Sequence, residues 1–450
     1  MEVYYFMTDT QKELHAGTFH IAFWKSIPLE FIRKEDGQGG YVYSEERIRE
    51  AAESGMTVLD CQYDDREVRL HYPKEEQEAA AKISNNEEEI NRAIMKVCEK
   101  YGLRCNISDT RIWRAFNGSE NWRDEIREMA DAYRGYPALF SFHIKDEPAT
   151  RDEFDRIARV KHYLEELNPD VEGYVNLLPG NGEKYEADLE YFIEAVRPSI
   201  LSYDRYHFGQ KRIELSSLSQ IDMQSNRYVI RSDGVYEKFD GDGYIDNLET
   251  FRRMSLKYGI PFMTTVQLTQ HAHYRDLTEG EIRYEVFTAL AYGVSRLSYY
   301  TYWTYHTINF LYTNGMIERD GSKTHYYYIV REINKEVSMI GAYTGNSLST
   351  GVYHIGYEKD AVTYWPDGGT ETVRHIDAKR LIAGFFENGM FMLVNKDYND
   401  FQHVTFSLVN DGKLLRLDKK TGMWEDMYSF NGMYHVRFAP GDGELFRVII

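Results

Sequence analysis

The chain has 450 residues, enough for one large domain and a smaller one, and its formal charge of −19 comes without a clustered Lys/Arg run of the kind a phosphate-tracking surface needs, which excludes nucleic acid as a partner. Its three cysteines (Cys61, Cys98, Cys105) are an odd number without metal-ligand spacing, so neither a disulfide framework nor a zinc site is expected. No apolar run reaches the roughly 18 residues of a membrane span, and Met1–Phe6 lacks a basic region followed by an apolar stretch, so the expectation is a cytoplasmic protein, or a secreted one whose leader has been removed.

Phe19–Trp24 reads as a first strand. Ser44–Ser54 has helical spacing closed by Gly55, and Met56–Asp60 is a second strand ending in acid. The charged stretch from Asp64 to Ala81 reads as a solvated excursion, and Asn85 as the N-cap of a helix running to Tyr101 and stopped by Gly102. Leu103–Asp109 is strand three. Helix Trp122–Tyr133 then leads through the Gly135–Pro137 turn to Ala138–Lys145, strand four, an apolar run that steps into Asp146-Glu147-Pro148.

The alternation continues with helix Arg151–Leu167, strand five at Val171–Asn176, helix Tyr185–Val196 and strand six at Ser199–Asp204. A long loop carrying Gly234, Gly241 and Gly243 precedes helix Ile245–Tyr258. Strand seven is Pro261–Gln267, helix Glu279–Tyr292 follows, strand eight is Ser295–Trp303, and a last helix spans Thr324–Ile340. Eight strand-helix units with Gly or Pro punctuation define an α/β chain forming a (β/α)8 TIM barrel over residues 1–344. Beyond it, apolar alternation with turn signals at Asn388-Gly389, Asp411-Gly412, Thr421-Gly422 and Asn431-Gly432 reads as hairpins of a small antiparallel β-sandwich domain over 345–450.

A barrel keeps its chemistry at the C-terminal ends of its strands. Those ends supply Asp60, Asp109, Asp146, Glu147 and Asp204, with Trp24, His143, Asn176, Tyr203, Gln267 and Trp303 beside them. A single such acid is more often a solvated charge or a helix cap. Several carboxylates among the 37 Tyr and 6 Trp of this chain, without a nucleophilic Ser or Cys signature, are the inventory for glycoside cleavage, in which one acid protonates the leaving oxygen and flat amphipathic rings take the sugar. His143 is three residues before Asp146 on a strand, so alternation turns it to the opposite face, as packing.

The unit order, Asp146-Glu147-Pro148, the aromatic run Tyr299–Trp303 and the closing Ala439–Phe446 together resemble the clan A glycoside hydrolases, including β-galactosidase-like enzymes with a C-terminal β-sandwich. The resemblance implies a hydrolase acting on O-glycosidic bonds of an oligo- or polysaccharide, with no cofactor and no metal. It puts Glu147 in the general acid/base place, Asp146 where the family usually has Asn, and Gln267 where it has the nucleophilic Glu. Gln cannot form a covalent glycosyl link, so Asp204 is the favoured second catalytic group. Asp204 activating a water gives inversion, with the two carboxyl groups about 6.5–9.5 Å apart. Trp24, Asp60, Asp146, Asn176, Tyr203, Gln267 and Trp303 are the expected substrate contacts, although alternation turns Tyr203 away if Asp204 faces the mouth. Three other readings compete: a substrate-assisted N-acetylhexosaminidase-like hydrolase with Asp146 orienting an acetamido group, a catalytically silent glycan-binding barrel, and a metal-dependent barrel enzyme using Asp60, Asp109, Asp146, Glu147 and His143.

Overall fold

In the computed structural model, which describes residues 18–24, 27, 33–35, 41–61, 87–213, 228–231, 234–241, 243–304, 312–356 and 362–449, the chain starts with β1 (His20–Phe23) and a small hairpin, β2 (Arg33–Glu35) and β3 (Tyr41–Tyr43). There follow α1 (Glu45–Glu53), β4 (Val58–Cys61), α2 (Glu87–Lys100), β5 (Arg104–Ile107), α3 (Thr110–Phe116), α4 (Trp122–Tyr133), β6 (Leu139–Asp146), α5 (Arg151–Leu167), β7 (Glu172–Leu177), α6 (Glu183–Val196) and β8 (Leu201–Asp204). After β8 come β9 (Phe208–Ile213), β10 (Tyr228–Arg231), β11 (Gly234–Asp240), α7 (Tyr244–Tyr258), β12 (Phe262–Gln267), α8 (Glu279–Tyr292), β13 (Arg296–Tyr300) and α9 (His325–Thr344). The eight strands β1, β4, β5, β6, β7, β8, β12 and β13 pair in parallel and close into a barrel in that order.

Two departures from the sequence reading stand out. The glycine-bearing stretch before α7 is a three-stranded antiparallel sheet, β10-β11-β9, rather than a loop. Asp109 does not face the barrel mouth but caps α3, accepting from Arg111 N at 2.9 Å, from the Arg111 guanidinium and from the Tyr133 hydroxyl at 2.8 Å. The charged stretch 64–81 and the Asn85 cap lie outside the described residues.

The tail holds β14 (Ser349–Ile355), β15 (Val373–Asp377), β16 (Leu381–Phe386), β17 (Met390–Asn395), β18 (Gln402–Leu408), β19 (Lys413–Leu417), β20 (Trp424–Met427), β21 (Tyr434–Phe438) and β22 (Gly443–Ile449). A six-stranded sheet, β14-β16-β17-β22-β19-β20, faces a three-stranded one, β15-β18-β21, across a core of Phe385, Phe391, Phe406 and Phe446. Asn388-Gly389, Thr421-Gly422 and Asn431-Gly432 are hairpin turns, whereas Asp411-Gly412 joins strands of different sheets.

The other face of the large sheet covers α8, and Ile382, Phe386 and Met392 share one core with the barrel. This explains two apolar patterns: β16 is buried at all six residues, and α8 is apolar nearly all round because barrel and sheet bury opposite sides of it. At Gly384 a side chain is impossible, since its Cβ would stand 2.1 Å from the Ala291 carbonyl oxygen. Charges close the seam: Arg283 of α8 meets Glu336 at 3.0 Å and Asp442 at 3.1 Å, and Lys419 meets Asp442 at 2.8 Å. No helix among the described residues is long and apolar enough to cross a membrane.

Candidate active site

The mouth of the barrel is shaped by an irregularity in β6. His143 pairs with Tyr174, but Lys145 then pairs with Val175 and Asp146 with Asn176, so β6 carries one extra residue. This bulge resets the alternation. His143 therefore faces inward, its ring 5.5 Å from Trp24 and 5.7 Å from Tyr174, on the same side as Asp146, contrary to the simple strand period. Glu147 follows with a φ of 47°, and its amide donates to the Asn176 carbonyl at 2.8 Å. A left-handed backbone at a residue with a side chain is uncommon and turns the chain sharply off the strand.

Asn176 on β7 organises the acids. Its side-chain nitrogen donates to Asp204 at 2.9 Å and to Asp146 at 3.3 Å, while its oxygen accepts from Ser202 at 3.0 Å. Ser202 is in turn within 2.9 Å of the Tyr174 hydroxyl. One buried amide thus ties together the carboxylates of strands four and six. Asp204 is 9% exposed, and burial pushes its pKa up, while hydrogen bonds from Asn176 and Tyr206 pull the other way. Glu147 is exposed on one side, yet its pKa is also raised, first by partial desolvation in the mouth and then by the negative charge of Asp204, with Lys145 opposing. A carboxyl that holds its proton beside one that sits buried among donors is the division of labour that acid-assisted cleavage needs.

Beside Asp204 stands an aromatic wall. The Tyr206 ring lies 5.0 Å from Tyr274, 5.3 Å from His271 and 5.6 Å from Tyr300, and His271 stacks on Tyr312 at 5.7 Å. Nδ1 of His271 is 2.8 Å from the Thr269 carbonyl and so carries the proton, and burial pushes its pKa down to about 4, leaving a neutral ring. These residues follow strands six, seven and eight. Tyr300 lay inside the aromatic run and Tyr206 two residues after Asp204, but a preference for Trp passed them over.

The remaining expected contacts are arranged differently. Trp24 is 6% exposed and, with Asp60 and Asn106, lines a cavity of about 40 Å³ inside the barrel, room for water rather than for a sugar ring. Asp60 accepts from the Asn106 side chain at 3.0 Å there. Trp303 is 2% exposed in the core, with Arg47 over its ring at 5.9 Å. Tyr203 points outward and stacks on Phe251 of α7 at 3.9 Å, since its neighbour Asp204 takes the inward face.

Gln267 is fully buried: its oxygen accepts from Phe208 N at 3.1 Å and its amide nitrogen donates to the carbonyls of Phe208 at 3.1 Å and Arg275 at 2.9 Å. β9 and the loop after β12 cover it. Behind it lies a carboxyl that the sequence reading missed. Glu285 of α8 accepts from the amides of Gln267 at 2.9 Å and His207 at 3.1 Å, and burial pushes its pKa up to about 8. Nothing in a helix that is apolar on all sides announces such a partner. Among the described residues no group of three or more His, Cys, Asp or Glu side chains is arranged to hold a metal ion.

A barrel closed by eight parallel strands and followed by an antiparallel sandwich is the architecture of known glycoside hydrolases, and solved structures of that class superpose on this chain. A glycoside hydrolase matches with a TM-score of 0.51 at 12% identity, covering 96% of this chain and 92% of its own. The β-galactosidase from Bacillus circulans sp. alkalophilus matches with a TM-score of 0.51 at 10% identity, covering 96% of this chain and 99% of its own. The chain spans 63% of the length of the β-galactosidase from the psychrophilic Marinomonas ef1, which covers 75% of this chain at 10% identity with a TM-score of 0.49. At these identities the likeness is one of fold. No family model matches the sequence, and no curated protein matches it.

Proposed function

We propose that the protein is a glycoside hydrolase acting on a carbohydrate substrate, with Glu147 as general acid and Asp204 as the group that activates water. The observation that carries this reading is the Asn176 amide, which holds Asp204 and Asp146 at one point while the charge of Asp204 bears on Glu147. Where the related fold commonly has Asn before the acid, this chain has Asp146, and the missing donor comes from Asn176 one strand over. The Tyr206, Tyr274, Tyr300 and Tyr312 wall offers the sugar-facing surface, in place of Trp303. The division of the chain into a barrel over 1–344 and a sandwich over 345–450 belongs to the same reading, supported by the end of α9 at Thr344 and the start of β14 at Ser349.

The decisive experiment is turnover on a panel of nitrophenyl glycosides that includes N-acetylhexosaminides. Cleavage that collapses in Glu147→Gln supports the reading, and a panel with no turnover at any pH rejects it. A second reading is favoured by the locked state of Gln267, which leaves strand seven with no group to attack the sugar. In it the substrate's own acetamido oxygen is the nucleophile and Asp146 orients it. Retained configuration, with turnover confined to N-acetylhexosaminides, would select this route.

A further inference from the structure

Directly past Glu147 the mouth opens sideways into a cavity of about 440 Å³ between α5 and α6, a volume within the usual range for small-molecule sites. Pro148 and Ala149 form its near wall, Leu178 and Pro179 its floor, and Phe154 and Phe192 its sides. Leu178 is 36% exposed, a large apolar side chain left open at this edge.

The polar atoms around the cavity are engaged with one another. The Tyr185 hydroxyl donates to the Leu178 carbonyl at 2.8 Å, the Asn247 amide donates to the Gly180 carbonyl, and Lys184 and Arg151 each meet Asp188 at 2.8 Å. A sugar placed here would bury hydroxyls against satisfied groups, which is unfavourable, whereas an apolar group would only displace water. Position says what that group is. A general acid gives its proton to the leaving oxygen, so the leaving group lies on the Glu147 side of the reacting carbon and away from Asp204. That side is the Pro148-Ala149 wall.

We propose that this cavity is the leaving-group site and that it takes an aryl or alkyl aglycone, making the substrates glycosides of hydrophobic phenols or alcohols rather than the oligosaccharides expected from the sequence. The assignment of the cavity to the leaving group rests on the reading of Glu147 as the acid. In the reaction Glu147 protonates the glycosidic oxygen, the bond from that oxygen to the anomeric carbon breaks, water adds its hydroxyl there after giving a proton to Asp204, and the aglycone departs as a neutral alcohol or phenol.

The test uses the full chain and free 4-methylumbelliferone, followed by its fluorescence. Ala149 is exposed, so Ala149→Trp fills the cavity without entering the core, and Leu178→Asp makes its floor polar without filling it. Saturable binding weakened about tenfold or more in both variants is expected. For the sugar that the enzyme turns over, kcat/KM on the 4-methylumbelliferyl glycoside should fall about tenfold in Ala149→Trp, while that on the glycosyl fluoride, which has no aglycone, stays within about twofold. Binding that is absent, or equal in parent and variants, overturns the proposal, as does an equal loss on both substrates. If Glu147→Gln cleaves as well as the parent while both variants lose 4-methylumbelliferone, the acid assignment fails and the cavity stands as an apolar ligand site alone.

Discussion

The ends of β8 and β12 lie side by side, Asp204 opposite Thr265 in the register, and each carries a polar side chain on the inward period of its strand. Their fates differ. Asp204 stays at the mouth, met by donors from Asn176 and Tyr206, whereas Gln267 is sealed by β9, whose Phe208 backbone takes both ends of its amide. Facing the barrel axis is therefore not enough to make a residue functional. The segment that follows the strand decides whether the side chain meets substrate or a neighbouring backbone.

The largest expected effect separates the two halves of that contrast. Glu147→Gln and Asp204→Asn should each lower kcat on a substrate with a poor leaving group by about 10²–10⁴-fold, with folding intact by circular dichroism. The pH profile sharpens this. The acid must be protonated, so activity falls as pH rises through the Glu147 pKa, and because that pKa is raised the alkaline limb should lie above the ordinary glutamate value of about 4.3. Glu147→Gln should abolish the limb.

Gln267→Glu tests the sealed side. It places a carboxylate against two carbonyl oxygens and removes both donors, so a stability loss of about 2–5 kcal/mol with no gain in turnover is expected, read by denaturant unfolding. Recovery of a retaining activity in this variant would mean that Gln267 reaches the substrate. Asn176→Ala removes the donor shared by Asp146 and Asp204 and should cost about 10–100-fold in kcat with little change in KM. The smallest effect is expected for Tyr206→Phe. Losing a hydrogen bond that favours ionised Asp204 raises that pKa, so the acidic limb moves to higher pH and the rate near neutrality drops a few-fold, about 1 kcal/mol.

The barrel was legible because its signals are local. Each strand is a short apolar run, and glycines at positive φ, such as Gly259 and Gly293, end the helices that precede β12 and β13. The sheet β9–β11 was not legible, since β9 (Phe-Gly-Gln-Lys-Arg-Ile) buries only its first three residues and then turns its charges outward. Nor was the bulge in β6, a one-residue shift that no periodicity records, and it changed which way His143 faces. The Asp146, Glu147 and Asp204 positions followed from counting strand ends. The Asn176 link and the seal on Gln267 depend on neighbours that come together only when the barrel closes.

The most direct measurement is the configuration of the first-formed sugar, followed by ¹H NMR during turnover of a pure anomer. With Asp204 activating water opposite Glu147, the initial product should carry the inverted anomeric configuration and mutarotate afterwards. An initial product of retained configuration would contradict that role for Asp204.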